Sequence, residues 1–474
     1  VPLARWLGLC ALALMLLLRC SLSLASTQQD VSRIDRVEID HVVSVRTEAD
    51  VIGALEDARI EGKQVVIAGA GHSQGGHILY PNAVMLDMRG YDRVLNIDTE
   101  HKTITVQAGA TWAQVQEAIN PQRLAVAVMQ SSNIFSVGGS ISANIHGRHT
   151  QQGPIISTVR SMRIALANGQ IVTASRDIHP ELFSAAIGGF GTLGVILDAT
   201  LQLVDDQMLI KTVTPVDFEG YAAHLRTNAS ALSLHYGRCS IAPGERFLEE
   251  CFAIDYRPAG AQNLPQPLQQ EAHVARDRLL FNWSRGSNIG KTLRWELQKG
   301  LLDKPGSTAL ISRNNAMRPP IRFLDYSSET DTDILQEYFV PLDEFPAFMR
   351  ALKNVVQENE VNLLSVTLRY VHANTENLLP YATQNQVAVV LYINMDLNES
   401  ALTHAEQWTR MLVDRALEHS GTYYLVYQRF PTIPQFQRAY PSAQALIDCK
   451  LNYDPGGVFN NLFYQHYLGR LTND

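Results

Sequence analysis

Three stretches of the chain gather glycine and small polar residues where the phosphate or ring of a ligand could lie: GAGHSQGGH at Gly69 to His77, SVGGSISANIHG at Ser136 to Gly147, and GGFGTLG at Gly188 to Gly194. Each offers backbone N–H groups that no side chain obstructs, which is what holding a pyrophosphate or a flavin ring requires. Any one of them reads as a tight turn. Three in one module exceed ordinary turn usage and together favour a dinucleotide. Gly189, Gly191 and Gly194 even satisfy GxGxxG, but that fingerprint needs a strand before it and a helix after it. Here a helical stretch, Glu181 to Ile187, precedes and a strand-like run, Val195 to Val204, follows, so a nicotinamide site is set aside.

Four histidines accompany the loops, His72, His77, His146 and His149, and raise the alternative of a metal site. Neither HSQGGH nor HGRH places an acidic ligand between its histidines, and both sit in glycine-rich loops, so no metal is expected.

The elements that must hold these loops are readable from periodicity. QVVIAGAG, AVMLDM, RVLNID and TITVQAG between Gln64 and Ala108 read as strands, Trp112 to Ile119 as a helix, and MRIAL and IVTAS as a hairpin about Asn168-Gly169. Between Asp206 and about Asp325 the pattern weakens, with a Pro/Gln-rich connection at Pro258 to Gln270 and a helical stretch around Glu271 to Leu302, to which no purpose is assigned. From Glu337 the order is strand EYFVPL, a helix carrying Phe345, Phe348, Leu352 and Val356, strands VNLLSVTLRYV and VAVVLYINM, a helix carrying Leu402, Trp408 and Leu412, and strand TYYLVYQRF. That is βαββαβ, a ferredoxin-like arrangement.

GAGHS, SVGGSISANIHG and LFSAAIGGFGTLGVI, in this order and spacing, resemble the FAD-binding domain of the vanillyl-alcohol oxidase (PCMH-type) family. The resemblance covers Val42 to Val204, weakens through the second half and returns in YDPGGVFNN, which in such enzymes packs back on the FAD domain. Its His loop is similar to that of cytokinin dehydrogenases and alditol oxidases. The NIHG segment and the C-terminal half are similar to decaprenylphosphoryl-ribose oxidases. The resemblance implies an α+β fold: a two-part FAD-binding domain, 26–205 and 439–474, with an inserted α+β (ferredoxin-like) substrate domain, 206–438. It also implies FAD contacts along Gly69, Ala70, Gly71, His72, Ser73 and Gln74. Further contacts are expected from Ser132, Val137, Gly138, Gly139, Ser142, Ala143, Asn144, His146 and Gly147, from Gly194, Val195 and Ile196, and from Asn461. Resemblance to the cytokinin dehydrogenase and alditol oxidase loop places His72 where those enzymes bond a histidine nitrogen to the flavin, for which a neutral imidazole near pH 7 is a suitable nucleophile; the alternatives are His77 and non-covalent FAD, the latter as in decaprenylphosphoryl-ribose oxidases. A second, cysteinyl tether is not expected, because MQSSNIFSVGG contains no cysteine.

In the resembling enzymes substrate carbon loses hydride to the flavin while a side chain accepts the hydroxyl or amine proton. Matched residue by residue, Gln336 falls on a substrate-pocket glutamine, Arg369 on a basic pocket residue and Tyr427 on a position that is a lysine in the family. That departure leaves the substrate open. Tyr427, Tyr424 and His372 are candidates for acid/base or anchoring roles, and Arg369 for polarising an alkoxide or binding an anion. Tyrosine on a half-buried strand also serves packing. The expected activity is FAD-dependent oxidation of a CH–OH or CH–NH group of a sugar, polyol or lactone, with oxygen or another electron acceptor. The competing class is an exported binding or scaffold protein that keeps the flavin fold without turnover.

Composition bounds the rest. A length of 474 residues, 46% hydrophobic and 18% charged, belongs to a globular protein of two or three domains. A net charge of −8 without a long basic cluster makes nucleic acid an unfavourable partner. Trp6 to Leu18, preceded by Arg5 and followed by SLSLAS, reads as a signal peptide cleaved after Ala25, hence export to the periplasm or medium, with the membrane a partner only if that segment stays uncleaved. Arg19 before Cys20 does not suit a lipoprotein site. Cys239 and Cys251 lie on strand-like runs about Pro243-Gly244-Glu245, where a hairpin could bring them together, either oxidised or as two packed thiols.

Overall fold

Residues 26–260, 266–302 and 309–471 are described by a computed structural model. The expected signal peptide at 1–25 lies outside them. The chain opens with a two-stranded ribbon, β1 (Ser26–Gln29) and β2 (Arg36–Ile39), followed by β3 (His41–Ser44), α1 (Glu48–Glu61), β4 (Val65–Ala68) and β5 (Val84–Asp87). The last three strands form a parallel sheet in the order β3-β5-β4. The almost unbroken apolar runs VVIA and VML suit a sheet buried on both faces. Thr47 and Asp50 close a capping box on α1, and Gly62, at φ 66°, ends it.

A second sheet follows from β6 (Val94–Asp98), β7 (Thr103–Gln107), β8 (Leu124–Val126), β9 (Val159–Ala165), β10 (Ile171–Ser175) and β11 (Val195–Asp205). Its order is β10-β9-β11-β7-β6, with β8 added along β11. Three helices lie between these strands: α2 (Trp112–Ile119), α3 (Val137–Ser142) and α4 (Pro180–Ala186). Gly169 takes φ 82° in the β9–β10 turn, the conformation that Asn-Gly favours.

The remaining strands build one eight-stranded antiparallel sheet. In chain order come β12 (Met208–Asp217), α5 (Phe218–Asn228), β13 (Leu234–Cys239), β14 (Glu250–Pro258), α6 (Val274–Arg285), α7 (Asn288–Leu302), β15 (Ala309–Ser312) and α8 (Arg313–Ala316). They are followed by β16 (Asp331–Pro341), α9 (Phe345–Glu358), β17 (Leu363–Val371), β18 (Gln386–Asp396), α10 (Glu399–Glu418) and β19 (Thr422–Tyr423). The spatial order is β15-β12-β14-β13-β17-β18-β16-β19. Counted within each half, this is fourth-first-third-second and then its mirror, so the sheet is two ferredoxin-like units joined through their second strands. The stretch 206–325, unassigned from sequence, is the first of these units. The seam is short, Gly237–Cys239 against Val366–Leu368. Cys239 and Cys251 face each other across β13 and β14, with Cα atoms 4.1 Å apart, and form a disulfide.

One strand assignment needs correction. TYYLVYQRF is a strand only at Thr422–Tyr423, which pair with Phe339 and Tyr338. Beyond them the backbone is claimed by the first loop: the Gln74 N–H donates to the Val426 carbonyl (3.1 Å) and His77 Nε2 to the Leu425 carbonyl (2.9 Å). Those carbonyls are therefore spent on a loop, and no ladder continues.

Both rims of the large sheet are fastened to the first half of the chain. On the β15 side, Arg313 donates to the Ala127 carbonyl (2.8 Å) and Asn314 to the Leu124 carbonyl (2.9 Å). On the β19 side, Tyr424 donates to the Ala143 carbonyl (2.8 Å) and Tyr381 to that of Asn144 (2.7 Å). The chain ends in α11 (Ile433–Ala439), α12 (Ala443–Tyr453) and α13 (Leu462–Leu471), and within YDPGGVFNN Phe459 runs parallel beside Val65 on β4. A buried Lys450–Asp454 pair (2.5 Å) holds that return, Asp454 accepting the N–H groups of Val458 and Phe459.

Candidate functional site

The three glycine-rich loops converge. The Ala70 N–H donates to Ser136 Oγ (3.2 Å), joining the first loop to the start of α3. The Phe190 N–H donates to the Ser142 carbonyl (3.0 Å), joining the third loop to its end. Several of the glycines are needed for close approach, to another loop or to the sheet beneath. A Cβ on Gly69 would run into Ser136 Oγ and one on Gly147 into the Met129 carbonyl. One on Gly138 would come within 2.6 Å of the Ala108 Cβ and one on Gly194 within 2.6 Å of Ile164 Cγ2. Gly71 differs: it takes φ 77° and faces open space. Much of the glycine content therefore answers the packing of these loops on each other and on the neighbouring backbone and strands.

The residues around this junction fit FAD. Ser73 Oγ, Ser131 Oγ, Asn144 Nδ2 and His146 Nδ1 are buried polar atoms without a partner among the described residues, and such atoms call for a ligand or water. Ser132 Oγ accepts weakly from the Ile134 N–H (3.5 Å). Ser142 and Ala143 present their carbonyls to Phe190 and Tyr424, Gly139 lies exposed on α3, and Val137, Val195 and Ile196 are buried against the core. Asn144 holds φ 45° and accepts the Ile156 N–H on its Oδ1 (3.2 Å). Asn461 braces instead of pointing at a ligand: it donates to the Phe190 carbonyl (2.9 Å) and caps the Tyr464 N–H (2.8 Å).

The four histidines take four different settings. His72 is half-buried, edge-on to Phe135 at 5.1 Å, and burial lowers its pKa, so its imidazole is neutral near pH 7. His77 lies between Phe190 and Phe463, bonded to the Leu425 carbonyl, and burial lowers its pKa to about 3. His149 donates to the Gly153 carbonyl (3.0 Å). His146 reaches across to the large sheet, its Nε2 2.7 Å from Glu337 Oε1.

Glu337 is the hub that motif reading did not find. It lies on β16, 3% exposed, and also accepts the Tyr427 phenol at 3.1 Å. Burial alone would raise its pKa, but His146, Arg369 and Tyr427 hold it below the ordinary carboxylate value. Burial and the same carboxylate push the Tyr427 and Tyr424 phenols well up. The Tyr424 ring packs 5.9 Å from that of Tyr427. Arg369 is half-buried on β17, its Nε without a partner, and burial lowers its pKa. His146, Glu337, Tyr427, Tyr424 and Arg369 thus come together. His372 does not join them: it donates to the Thr150 carbonyl (2.6 Å). Gln336 points elsewhere too. It donates to Gln428, which donates to Gln74 (2.8 and 2.9 Å), and Gln74 also accepts the Leu335 N–H. This chain of amides locks the first loop to β16. The one signal for Glu337 in the sequence is a carboxylate at the head of an apolar strand, EYFVP, where a buried charge needs partners.

Among the described residues, one group of potential metal ligands comes together: His224, His235 and Asp255, with atoms within 4.8 Å. His224 Nε2 and His235 Nδ1 meet separate Asp255 oxygens at 2.9 and 2.7 Å, and Tyr221 bonds His235 Nε2 at 2.5 Å. These mutual bonds account for the group as a tie between α5 and the sheet.

Comparison with known proteins identifies the segment that carries the first two loops: residues 39–175 match the FAD binding domain family model. The chain is 34% identical over 166 residues to L-gulonolactone oxidase of Bos taurus, covering 35% of this chain and 38% of that protein. It is 34% identical over 172 residues to decaprenylphosphoryl-beta-D-ribose oxidase of Mycolicibacterium smegmatis, covering 34% and 36%. With mitochondrial L-galactono-1,4-lactone dehydrogenase 1 of Oryza sativa it shares 32% identity over 193 residues, 40% and 33%. The chain spans about a third of the length of these relatives.

Proposed function

We propose that this chain, which carries a PCMH-type FAD-binding domain, is an FAD-dependent oxidoreductase that oxidises a CH–OH group of a sugar-derived or lactone substrate. The relatives named for lactone and ribose oxidation support that class. The observation that carries it is the buried His146–Glu337–Tyr427 cluster beside Arg369, set where the glycine loops meet the large sheet. Bound FAD supplies a two-electron acceptor for hydride. The chain supplies the handling of the proton. Glu337, kept ionised, accepts Nε2–H of His146 and leaves the unpartnered Nδ1 lone pair to take the substrate hydroxyl proton. The Tyr427 phenol, its proton committed to Glu337, turns an oxygen lone pair toward that hydroxyl and orients it. Arg369 steadies the developing alkoxide charge.

His72 is the residue for a covalent flavin link: neutral, half-buried, without a hydrogen bond and next to the open Gly71. The apolar run Trp6 to Leu18 and the Cys239–Cys251 disulfide support an exported protein, since such bonds persist in oxidising compartments. Denaturing mass spectrometry of the purified protein tests cofactor and linkage together, followed by anaerobic titration with a panel of lactones, sugars and polyols. Bleaching of the flavin band by a member of the panel is the expected result. A flavin-loaded protein that none of them bleaches contradicts the assignment.

A further inference from the structure

The face of the large sheet turned toward the flavin domain is cationic beyond what oxidising a hydroxyl requires. The register sets out its residues in rows. Arg238 on β13 lies opposite Thr367 on β17, which is opposite Val390 on β18, which is opposite Glu337 on β16. Arg369 stands two residues along from Thr367, on the same face. Arg148 reaches down from the loop after Gly147 and lies over the Tyr236 ring, 4.1 Å from its centroid. Arg238, Arg148 and Arg369 form no ion pair with a carboxylate among the described residues. Arg238 bonds only the hydroxyls of Ser365 and Thr367, and Arg148 the Ala316 carbonyl (3.1 Å), its Nε remaining buried and unpartnered as does that of Arg369.

Other arginines divide: Arg285 is held by Asp333 and Arg163 by Asp198 and Glu48, whereas Arg313 donates to backbone carbonyls and Arg294, whose charge lies near that of Arg238, to the Leu364 carbonyl and Ser284. The three on this face are close enough to oppose one another: burial and then the charges of Arg148 and Arg369 depress Arg238. Burial alone would raise the Tyr236 phenol, yet Arg148, Lys211 and Arg238 pull it below its ordinary value. Glu337 offsets Arg369, but Arg238 and Arg148 have no carboxylate beside them among the described residues, and half-buried like charges so placed are unfavourable. A built-in cluster of this kind is stabilised when an anion enters.

We propose that the substrate carries an anionic group, phosphate or carboxylate, remote from the carbon that is oxidised, and that Arg238 and Arg148 bind it at the seam between the two halves of the sheet. The inference rests on reading this face as the substrate side of the site. β13 lies three strands from β16, about 14 Å at the usual spacing. With side chains reaching in from both ends, the gap suits a sugar unit between the charged group and the hydroxyl at Glu337 and Tyr427. Val390 and the Thr367 methyl form its floor in that row. A neutral lactone leaves the cluster uncompensated.

Calorimetric titration of the purified holoprotein with inorganic phosphate and, separately, with malonate tests this without a known substrate. Wild type is expected to bind one or both, with affinity falling as salt rises. Arg238→Gln and Arg148→Gln are expected each to weaken binding at least tenfold while the flavin absorbance and the melting transition report that the fold stands. Preference for phosphate identifies a phosphorylated substrate, and preference for malonate a carboxylated one. No binding of either anion by wild type, or affinity unchanged in both variants, overturns the proposal. Flavin content is read on the same samples, so a protein without FAD defeats the oxidoreductase reading while calorimetry still reports on the anion site.

Discussion

Glu337→Gln separates the charge of the hub from its shape. The amide oxygen still accepts the Tyr427 phenol, whereas its NH2 group faces His146 Nε2. The imidazole can answer by moving its proton to Nδ1, so that Nε2 accepts the amide N–H while the Nδ1–H faces the substrate side with no protein partner among the described residues. What is lost is charge assistance: two bonds worth roughly 1.5–3 kcal/mol each become neutral ones of about 1 kcal/mol, a net cost of about 1–4 kcal/mol at pH 7. The pH dependence has a definite sign. The Glu337 carboxyl is held below its ordinary value, so its contribution is fully present above the unfolded carboxyl pKa near 4.3 and is lost as pH falls through the folded value. The stability gap between wild type and variant therefore narrows in acid. Turnover suffers more. With a proton on Nδ1 the acceptor is gone, and loss of a general base costs about 10²–10⁴ in kcat. Steady-state reduction of an acceptor dye and anaerobic bleaching of the flavin both report it. A variant that retains FAD and turns over within about threefold of wild type would sink the assignment of His146 and Glu337 to proton transfer.

Other expectations follow from placement. His72→Ala should release flavin into the supernatant on acid precipitation while wild type retains it, with far-UV circular dichroism unchanged; a wild type that already releases its flavin ends the tether. Tyr427→Phe removes the 3.1 Å bond to Glu337 and should lower kcat about tenfold or more with little change in KM, whereas unchanged kinetics would assign the phenol to packing. Replacing Cys239 and Cys251 together by alanine opens a 12-residue loop and should cost about 2–3 kcal/mol in denaturant unfolding. A thiol titration of denatured, unreduced wild type that finds both of these sulfurs free would refute the bond.

The first half of the fold is legible because its strands follow simple rules. β4 and β5 are short, apolar and buried, and the β9–β10 hairpin announces itself through Asn168-Gly169. In the first unit of the large sheet the β13–β14 hairpin and the helical stretch after Glu271 are legible, but β12 is not, because half-buried polar residues such as Lys211 and Thr212 blur the alternation a strand should show. TYYLVYQRF misleads in the opposite sense: its β-branched and aromatic content answers burial around Glu337 and the His77 loop, with backbone bonds that are tertiary. For the site, the loops could be found by composition. Glu337 and Arg148 could not, because their partners arrive from strands and loops distant in sequence, while Gln336, matched to a pocket glutamine, and His372, a candidate for an acid/base or anchoring role, turn their side chains to other amides and carbonyls.

Neighbouring strands rotate by about 20–25° on average, so seven steps from β15 to β19 accumulate roughly 140–175°. The great sheet is therefore a saddle, and its two rims are stitched to the cofactor half, by Arg313 and Asn314 at one end and by Tyr424 and Tyr381 at the other. A saddle secured at pommel and cantle does not swing open as a lid does. Traffic to the flavin must pass along its flanks, and admission becomes a matter of aperture and charge rather than of motion.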